Sequence, residues 1–327
     1  MKVIVSKDAV LNAMKKAAKI AASKGTIQIF SHVAIEFVDG TCTLTANDGV
    51  RTYSERFDAE GQEGRCTLES VKLLRALNGM KAGDVEITKG NIKQGRTSIK
   101  LEAMDFETFP MPDYDKAESV GISSSEMFAC FSVVAHALPS KDIRAYLNGV
   151  HLTNGFCVAT DGLRLAKTEC GYDGLDVIIP CDSVKTMPDI VGDVMVSNNQ
   201  LIIDGVNARY STSLVDAKFP DWRRILPKEF DIDITSKTDD VMSALKTAQI
   251  GGDVVKIDIN NNTAILSNSG AETECEVTGE GSLTVAFMAQ YLIDALGSCE
   301  TDTVTMRMGV GKACLINDNF VVMPVRL

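Results

Sequence analysis

Stretches in which apolar and polar residues alternate recur along the chain, and amphipathic segments separate them. Near the amino terminus the alternating run KVIVS leads into Val10, Leu11, Met14, Ala17 and Ala18. Their spacing of three and four residues places these side chains on one face of a helix. Strand-like runs outnumber helix-like ones over the whole chain. The pattern therefore predicts an α+β fold built on antiparallel sheets.

The same local pattern occurs three times. The runs GDVEITKGN, GDVMVSNNQ and TDTVTMRMG each follow a helix-like segment and begin a strand-like one. They recur at intervals of about 110 residues, which is the size of a whole domain. We therefore predict three similar domains, over residues 1–116, 117–228 and 229–327.

Each repeat carries two helix-like segments and several strand-like ones. The second helices are predicted in SVKLLRALNGM, DSVKTMPDIV and AQYLIDALGS. In the first repeat, Asp39-Gly40 lies between two alternating runs and is typical of a tight hairpin turn. Ser6 and Asp8 are the candidate capping residues of the first helix.

The composition is that of a soluble globular protein, with 45% hydrophobic and 24% charged residues. No run approaches the roughly 20 apolar residues that span a bilayer. The nine cysteines include no CxxC pair, and the three histidines have no second ligand at metal-binding spacing. We therefore expect no metal or cofactor, a cytoplasmic location, and buried thiols at five strand positions: Cys42, Cys66, Cys157, Cys275 and Cys314.

The net charge of −11 argues against general nucleic-acid binding, but its distribution changes that picture. Basic residues gather on the predicted helices of the first repeat, whereas acidic residues gather in loops. The basic residues are Lys15, Lys16, Lys19, Lys24, Lys72, Arg75 and Lys81. Each cluster alone is compatible with a solvated helix face. Because every repeat has two helices, a shared basic face is the alternative.

Motifs of common catalytic sites are missing from the sequence. It has no GxSxG elbow, no phosphate-binding loop and no HExxH. An enzyme that uses Cys157 or Asp161 remains one hypothesis, although nothing marks either residue as a nucleophile. The sequence therefore favours a non-catalytic protein.

Four further motifs carry a resemblance to a known family. They are RAYLNGVHL (144–152), VATDGLRLA (158–166), DAKFPDWRRILP (216–227) and VVMPVRL (321–327). Together they resemble the bacterial DNA polymerase III beta subunit, the replicative sliding clamp, and the likeness covers the chain. Leu163 stands where this family usually has histidine and Ala145 where an aromatic residue is common, as in a divergent or phage-type member.

The resemblance implies a particular architecture and function. Three similar domains per chain would pair head to tail into a homodimeric ring, with antiparallel sheets outside and two helices per domain inside. Such a ring encircles duplex DNA as a processivity factor. Its expected partners are double-stranded DNA, the replicative polymerase, the clamp loader, repair or ligation proteins and a second copy of the chain, with no membrane. The alternative is a monomeric peptide-binding scaffold without ring closure.

The resemblance also assigns site residues. The predicted peptide groove comprises Arg144, Tyr146, Leu147, Thr160, Gly162, Leu163, Arg164, Leu165, Pro220, Arg224, Ile225, Val321, Met323, Pro324, Val325, Arg326 and Leu327. About a third of these could instead be core residues of a domain junction, because apolar residues are most often buried. The predicted DNA contacts are Lys15, Lys19, Lys24, Lys72, Arg75 and Lys141. The predicted dimer interface contains Ile99 and Leu101, and no residue is assigned to catalysis or to a metal.

Overall fold

The computed structural model describes residues 1–21, 27–114, 117–172, 174–197 and 199–326. These residues form six α-helices and are otherwise dominated by strands. The helices are α1 (Lys7–Ala17), α2 (Ser70–Gly79), α3 (Ser124–Val134), α4 (Cys181–Thr186), α5 (Thr238–Gln249) and α6 (Ala289–Gly297). The prediction of two helices in each repeat is therefore confirmed.

The chain divides into two compact units. Unit 1 comprises Met1–Ser125 and Lys185–Leu214, and unit 2 comprises Glu126–Val184 and Val215–Leu327. The domain boundaries predicted from the repeat stay a prediction.

The strands of unit 1 are β1 (Lys2–Ser6), β2 (His32–Val38), β3 (Thr41–Asn47), β4 (Arg51–Asp58), β5 (Glu60–Gln62), β6 (Gly64–Glu69), β7 (Asp84–Thr88), β8 (Asn91–Gln94), β9 (Thr97–Lys100), β10 (Glu118–Ser123), β15 (Gly192–Ser197), β16 (Gln200–Gly205) and β17 (Ala208–Ser213). The strands of unit 2 are β11 (Gly149–Thr153), β12 (Phe156–Thr160), β13 (Arg164–Glu169), β14 (Asp176–Pro180), β18 (Ile232–Lys237), β19 (Val254–Asn260), β20 (Thr263–Asn268), β21 (Ala271–Glu276), β22 (Ser282–Met288), β23 (Thr303–Met308), β24 (Cys314–Ile316) and β25 (Phe320–Val322).

Each unit contains two sheets. Unit 1 has a sheet in the order β5-β1-β7-β8-β9 and a larger one in the order β10-β15-β16-β17-β4-β3-β2-β6. Unit 2 has a sheet in the order β14-β11-β12-β13-β25-β24-β23-β18 and a smaller one in the order β21-β20-β19-β22. The named strand pairs are antiparallel, which confirms the predicted sheet type.

The two large sheets join successive repeats in the same way. In unit 1, β4 of the first repeat pairs with β17 of the second, with Tyr53 opposite Tyr210. In unit 2, β13 of the second repeat pairs with β25 of the third, with Leu165 opposite Val321. Thus the strand that follows the Asp-Gly turn of one repeat lies beside the closing strand of the next repeat.

Local sequence explains several elements. Asp39 and Gly40 have positive φ angles of 48° and 75° in the turn between β2 and β3, as a two-residue hairpin with right-handed strand twist requires. The capping prediction at Ser6 is wrong, because its side chain makes no capping hydrogen bond. The Lys7 N–H instead donates to the Gly83 carbonyl oxygen at 3.0 Å, so a neighbouring loop satisfies this helix end.

Helix α4 is shorter than DSVKTMPDIV predicted. It ends at Thr186, two residues before Pro188, and a proline disfavours helical backbone at the residue that precedes it. The five cysteines predicted in strands are all buried as free thiols. Burial raises the pKa of the Cys42 and Cys66 thiols to about 12, so both stay protonated and unreactive at neutral pH.

Candidate functional site

The predicted groove residues of unit 2 gather around the turn that precedes β13. This turn and the segment after β25 lie side by side, since the Met323 N–H donates to the Leu163 carbonyl oxygen at 2.9 Å. The Val325 N–H donates to the Ala286 carbonyl oxygen on β22 at 2.7 Å. Two motifs that are more than 150 residues apart in the sequence thus form one surface.

A buried apolar cluster supports this surface. Leu165 and Val321, which face each other across the β13–β25 ladder, pack in it with Trp222 and Phe219. The half-buried Tyr146 packs against the cluster. Trp222 belongs to one of the four motifs but was not predicted as a site residue, although it is the largest side chain in the cluster. The signal in the sequence that could have identified Trp222 was that this single tryptophan lies two residues before the predicted Arg224.

Three of the predicted residues expose apolar side chains above this cluster. Leu163 is 54% exposed, Ile225 is 54% exposed and Met323 is 45% exposed. Large exposed apolar side chains next to a buried apolar cluster are typical of a binding surface for short peptides. Methionine adds a flexible wall that adapts to differently shaped ligands.

Charged residues shape one side of the turn. The Arg144 guanidinium donates to Asp142 at 2.8 and 2.9 Å and reaches the Asp161 carbonyl oxygen at 3.5 Å. Hydrogen bonds from Arg144 lower the pKa of Asp142 to about 2. Gly162 has a φ of +91°, and a side chain there would meet the Arg144 guanidinium at 2.9 Å. A glycine is therefore required at this point of the turn.

The remaining predicted groove residues divide between buried and exposed positions. Leu147 and Thr160 are buried, and the Thr160 hydroxyl donates to the Arg164 carbonyl oxygen at 2.6 Å. The half-buried ones are Pro324 and Val325, and the exposed ones are Pro220, Arg224 and Arg326. Leu327 lies outside the described residues. Arg164 is only 12% exposed and is directed beneath the surface.

The predicted DNA-contact residues fall mainly on α1 and α2, which pack against each other in unit 1. Lys15, Lys19 and Arg75 are exposed. Lys72 is also exposed, and its hydrogen bond to Glu69 raises its pKa. Lys141 is exposed in a loop of unit 2, whereas Lys24 lies outside the described residues.

The helices of unit 2 differ strongly from these. Helices α3 and α6 contain no lysine or arginine, and α5 contains only Lys246. Basic residues on helices are therefore concentrated in unit 1, although the fold of the helical segments repeats.

Two of the strands at sheet edges, β9 and β21, lie in regions of opposite charge. Within the described residues, β9 has only β8 as a neighbour and β21 has only β20. The exposed basic side chains of the β8–β9 hairpin are Lys93 on β8, Arg96 in the turn and Lys100 on β9, and the exposed acidic ones on β21 are Glu272, Glu274 and Glu276. Ile99 on β9 is half-buried. Leu101 is only 6% exposed in the single chain, so it contributes packing within the protomer and little free surface.

The described part of the chain offers no obvious catalytic or metal centre. No group of three potential metal ligands occurs there, and none of its helices is long and apolar enough to cross a membrane. Cys157 is fully buried, and burial raises the pKa of its thiol well above the usual value. The Asp161 carboxylate accepts hydrogen bonds from its own turn and from Arg164. Neither residue of the enzyme hypothesis is thus placed to attack a substrate.

Comparison with protein families identifies most of the chain. The family described as DNA polymerase III beta subunit, N-terminal domain, matches residues 1–116, and its central domain matches residues 121–221. The chain belongs to the DNA polymerase III beta-subunit family. The beta sliding clamp of Vibrio cholerae is 22% identical over the full length of both chains, and that of Escherichia coli is 24% identical over the full length of both.

Solved clamps share the fold. The Caulobacter crescentus beta sliding clamp superposes with a TM-score of 0.91 at 22% identity, over 100% of this chain and 99% of the other. The Helicobacter pylori beta clamp, solved with a DNA ligase peptide, gives a TM-score of 0.91 at 20% identity with full coverage of both chains. The family and clamp fold indicated by the sequence are thus confirmed. As a family member, the chain is a DNA sliding clamp and a non-catalytic subunit of the replication machinery.

Proposed function

We propose that this clamp closes as a head-to-tail homodimer around duplex DNA and tethers its partners through the groove of unit 2. The observation that carries the ring proposal is the repeated strand pairing. The first repeat supplies β4 to β17 of the second, and the second supplies β13 to β25 of the third. The corresponding strand of the third repeat is β21, and the corresponding closing strand of the first repeat is β9.

Both of these strands lie at sheet edges in the described chain. Pairing β21 of one protomer with β9 of another continues the internal pattern and uses the exposed backbone groups that edge strands present. Two such junctions close a dimer, because each chain offers one β21 and one β9. Exposed Glu272 and Glu274 on β21, and exposed Lys100 on β9 with Lys93 on the adjacent β8, supply complementary charge.

The predicted interface at Ile99 remains part of this proposal, whereas Leu101 would support the edge from inside the protomer. Ile99 is half-buried on β9 and would lose its remaining exposed surface on pairing. Its contribution would be of the order of 1 kcal/mol, as for partial burial of one large apolar side chain.

The basic helices α1 and α2 supply the attraction to DNA. Lysine and arginine contacts to phosphates position a duplex without reading its sequence, and a clamp that slides needs contacts of that kind. Acidic groups outnumber basic ones in the chain as a whole. Binding is therefore weak, depends on salt, and becomes persistent only through enclosure.

The groove supplies the tether. Its exposed Leu163, Ile225 and Met323 would receive apolar side chains of a short peptide, and Arg144 would orient the peptide's polar groups. The solved Helicobacter pylori clamp with a DNA ligase peptide supports ligation proteins as partners. The replicative polymerase and the clamp loader are the other proposed partners. Tethering keeps a partner at high effective concentration near its template. Such a replication role corresponds to a cytoplasmic location.

Whether the protein encloses DNA can be tested by comparing how long it stays bound to circular and to linear DNA. The protein is loaded on a nicked circular plasmid and on the same plasmid after linearisation, and bound protein is followed over time. We expect long retention on the circle and rapid loss from the linear form. Equal retention on both templates would contradict a topological mechanism.

Mass in solution separates the ring from the scaffold hypothesis. A closed dimer should scatter light as twice the 35.2 kDa protomer mass. A monomer at micromolar concentration would instead favour a peptide-binding scaffold without ring closure.

A further inference from the structure

The Asp-Gly-X-Arg turn occurs in the first two repeats and builds the same hydrogen-bonded loop in both. In unit 1, Asp48 accepts from the Val50 and Arg51 N–H groups at 2.9 and 2.6 Å and from Arg51 Nε at 2.8 Å. In unit 2, Asp161 accepts from the Leu163 and Arg164 N–H groups at 2.9 and 3.0 Å. Each aspartate thus fixes the backbone of its own turn.

The second turn also orients its arginine. Arg164 Nε donates to Asp161 at 3.0 Å, which matches the Arg51–Asp48 contact. Both arginines are largely buried. Because the aspartate holds the guanidinium in place, little side-chain freedom is lost when its other nitrogens bind a second partner.

The second partner lies at the same helical position in both cases. Arg51 Nη1 donates to the Thr186 hydroxyl at 2.5 Å, and Thr186 is the sixth residue of α4. Arg164 Nη1 donates to the Asp294 carboxylate at 2.5 Å, and Asp294 is the sixth residue of α6. In each case the helix is the second helix of the following repeat.

The interaction in unit 2 has a charged acceptor. It joins two charged groups, and the Arg164 guanidinium lies 4.4 Å from the centre of the Tyr291 ring, also on α6. Charge-assisted hydrogen bonds are roughly twice as strong as neutral ones, and a cation over a tyrosine ring adds to them. The bond to Thr186 lacks a charged acceptor.

The third repeat lacks the arginine turn, and the first repeat lacks the acceptor on its second helix. Asn268 pairs with Ala271, so only two residues form its turn, whereas four residues separate Thr160 from Leu165 in the second repeat. No arginine occupies the shorter turn. The sixth residue of the first repeat's second helix is Arg75, which cannot accept a hydrogen bond.

We infer that the Asp-Gly-X-Arg turn is a junction latch, in which the arginine fixes each repeat to the second helix of the next repeat along the chain. Arg164 is therefore a positioning residue that holds α6 against the turn bearing Leu163. It does not need to touch a bound peptide. If the proposed head-to-tail ring is correct, the junctions between chains are the ones built without the latch.

Hydrogen exchange of the full-length protein tests this role directly. We expect Arg164→Met to speed amide exchange in α6 by about tenfold or more, with α1 unchanged. Arg164→Lys should give an α6 exchange rate between those of the unchanged protein and Arg164→Met, since lysine keeps the positive charge but lacks the several donors of a guanidinium. The control is Lys256→Met, which removes an ion pair with Asp258 within a single strand and should leave α6 unchanged.

A double-mutant cycle and a peptide titration distinguish positioning from peptide contact. Asp294→Asn combined with Arg164→Met should add little to the exchange rate of Arg164→Met alone, because both changes remove one interaction. Unchanged α6 exchange together with weaker binding of a DNA ligase peptide would make Arg164 a peptide contact and overturn the proposal.

A gain-of-function variant covers the case in which Arg164→Met does not fold. Thr186→Asp copies Asp294 at the junction of unit 1 and gives Arg51 a charged acceptor on α4, so it should slow exchange in α4 severalfold. Unchanged or faster exchange in α4 would contradict the latch. These readouts follow interactions within one chain, so failure of ring closure in the mass and plasmid experiments leaves their interpretation unchanged.

Discussion

Unit 1 and unit 2 join successive repeats by the same strand pairing, yet the side chains that they expose differ in chemical character. Unit 1 carries exposed lysines and an arginine on α1 and α2. Unit 2 has helices almost without basic residues and exposes apolar side chains around the turn before β13. The repeated backbone thus leaves the side chains free to differ, and in the proposed function unit 1 attracts phosphate while unit 2 captures peptides.

The corresponding turn of unit 1 shows how little backbone change this specialisation needs. Val50 occupies the position of Leu163 and is also exposed, and both turns have the same aspartate hydrogen bonds. The closing strand is bonded to the turn in both units, since the Ser213 N–H donates to the Val50 carbonyl oxygen at 2.8 Å and the Met323 N–H to that of Leu163 at 2.9 Å. What unit 2 adds is the exposed Met323 side chain and the buried cluster around Trp222. The proposed binding surface therefore differs from its counterpart in unit 1 by its side chains rather than by its backbone.

The largest expected effect concerns the groove itself. Replacing Leu163 and Met323 together by aspartate should weaken binding of a DNA ligase peptide by about 100-fold or more, since two apolar side chains disappear from the groove and two charges are desolvated. Fluorescence anisotropy of a labelled peptide measures the affinity. The matched control is Val206→Asp, at an exposed apolar residue of unit 1, which should leave the affinity unchanged. If both variants bound the peptide equally weakly, the assignment of peptide binding to unit 2 would be wrong.

Removal of the carboxyl-terminal segment sharpens the same comparison. Deleting residues 323–327 should abolish polymerase stimulation and leave the dimer intact, because the proposed dimer edges are β9 and β21. Primer-extension assays and light scattering measure the two properties. Loss of the dimer would show that the segment is structural instead.

Charge reversal at the sheet edges is the next largest effect. Glu272→Lys with Glu274→Lys should raise the dimer dissociation constant by about 10- to 100-fold, because like charges would face each other across the junction. Lys93→Glu with Lys100→Glu, added to the same chain, should recover most of the affinity. Sedimentation over a concentration series measures both, and an unchanged constant in the first variant would rule out this pairing of edges.

A smaller effect is expected on DNA binding. Lys15→Gln on α1 with Lys19→Gln just after it should lower the slope of log affinity against log salt by about 1 for each lysine–phosphate interaction that the substitutions remove. Lys246→Gln on α5 of unit 2 is the control and should change little. Titration of a short labelled duplex at several salt concentrations measures the slope. A similar change in both variants would mean that the basic surface is not confined to unit 1.

The smallest effect is a pH dependence specific to unit 2. His136 lies beside the ring of Phe320, with both ring nitrogens buried and without a hydrogen-bond partner among the described residues. Burial, then the charge of Arg164, lower its pKa to about 4, against the opposing influence of Asp294 and Asp161. The neutral ring is therefore the form that fits the folded protein.

Stability that depends on this neutral ring is complete above the unfolded-state pKa of about 6.5 and is lost as the pH falls toward 4. Between pH 7.5 and 5.5 the folded state should lose about 1 kcal/mol through His136. Urea unfolding at the two pH values measures this, and His136→Gln should remove that part of the difference. An identical pH difference in the variant would assign the acid sensitivity to other groups.

Local patterns predicted much of the fold because the forces behind them act over a few residues. Helices α1, α2 and α6 followed from apolar spacing, the β2–β3 hairpin from Asp39-Gly40, and the buried thiols from their places in alternating runs. The short α4 shows the limit, since a proline shortly after its end outweighed the helical pattern. The motifs shared with the family also selected the segments that meet in unit 2.

The sequence by itself determined that this protein repeats one unit of two helices and several strands, and that its motifs are those of a sliding clamp. Only the tertiary structure decided that Arg164 lies beneath the groove on Asp294, that Trp222 supports the groove from below, and that β9 and β21 remain at sheet edges. Spacing and propensity act along the chain, whereas burial, ion pairing and edge exposure depend on which distant segments become neighbours when the chain folds.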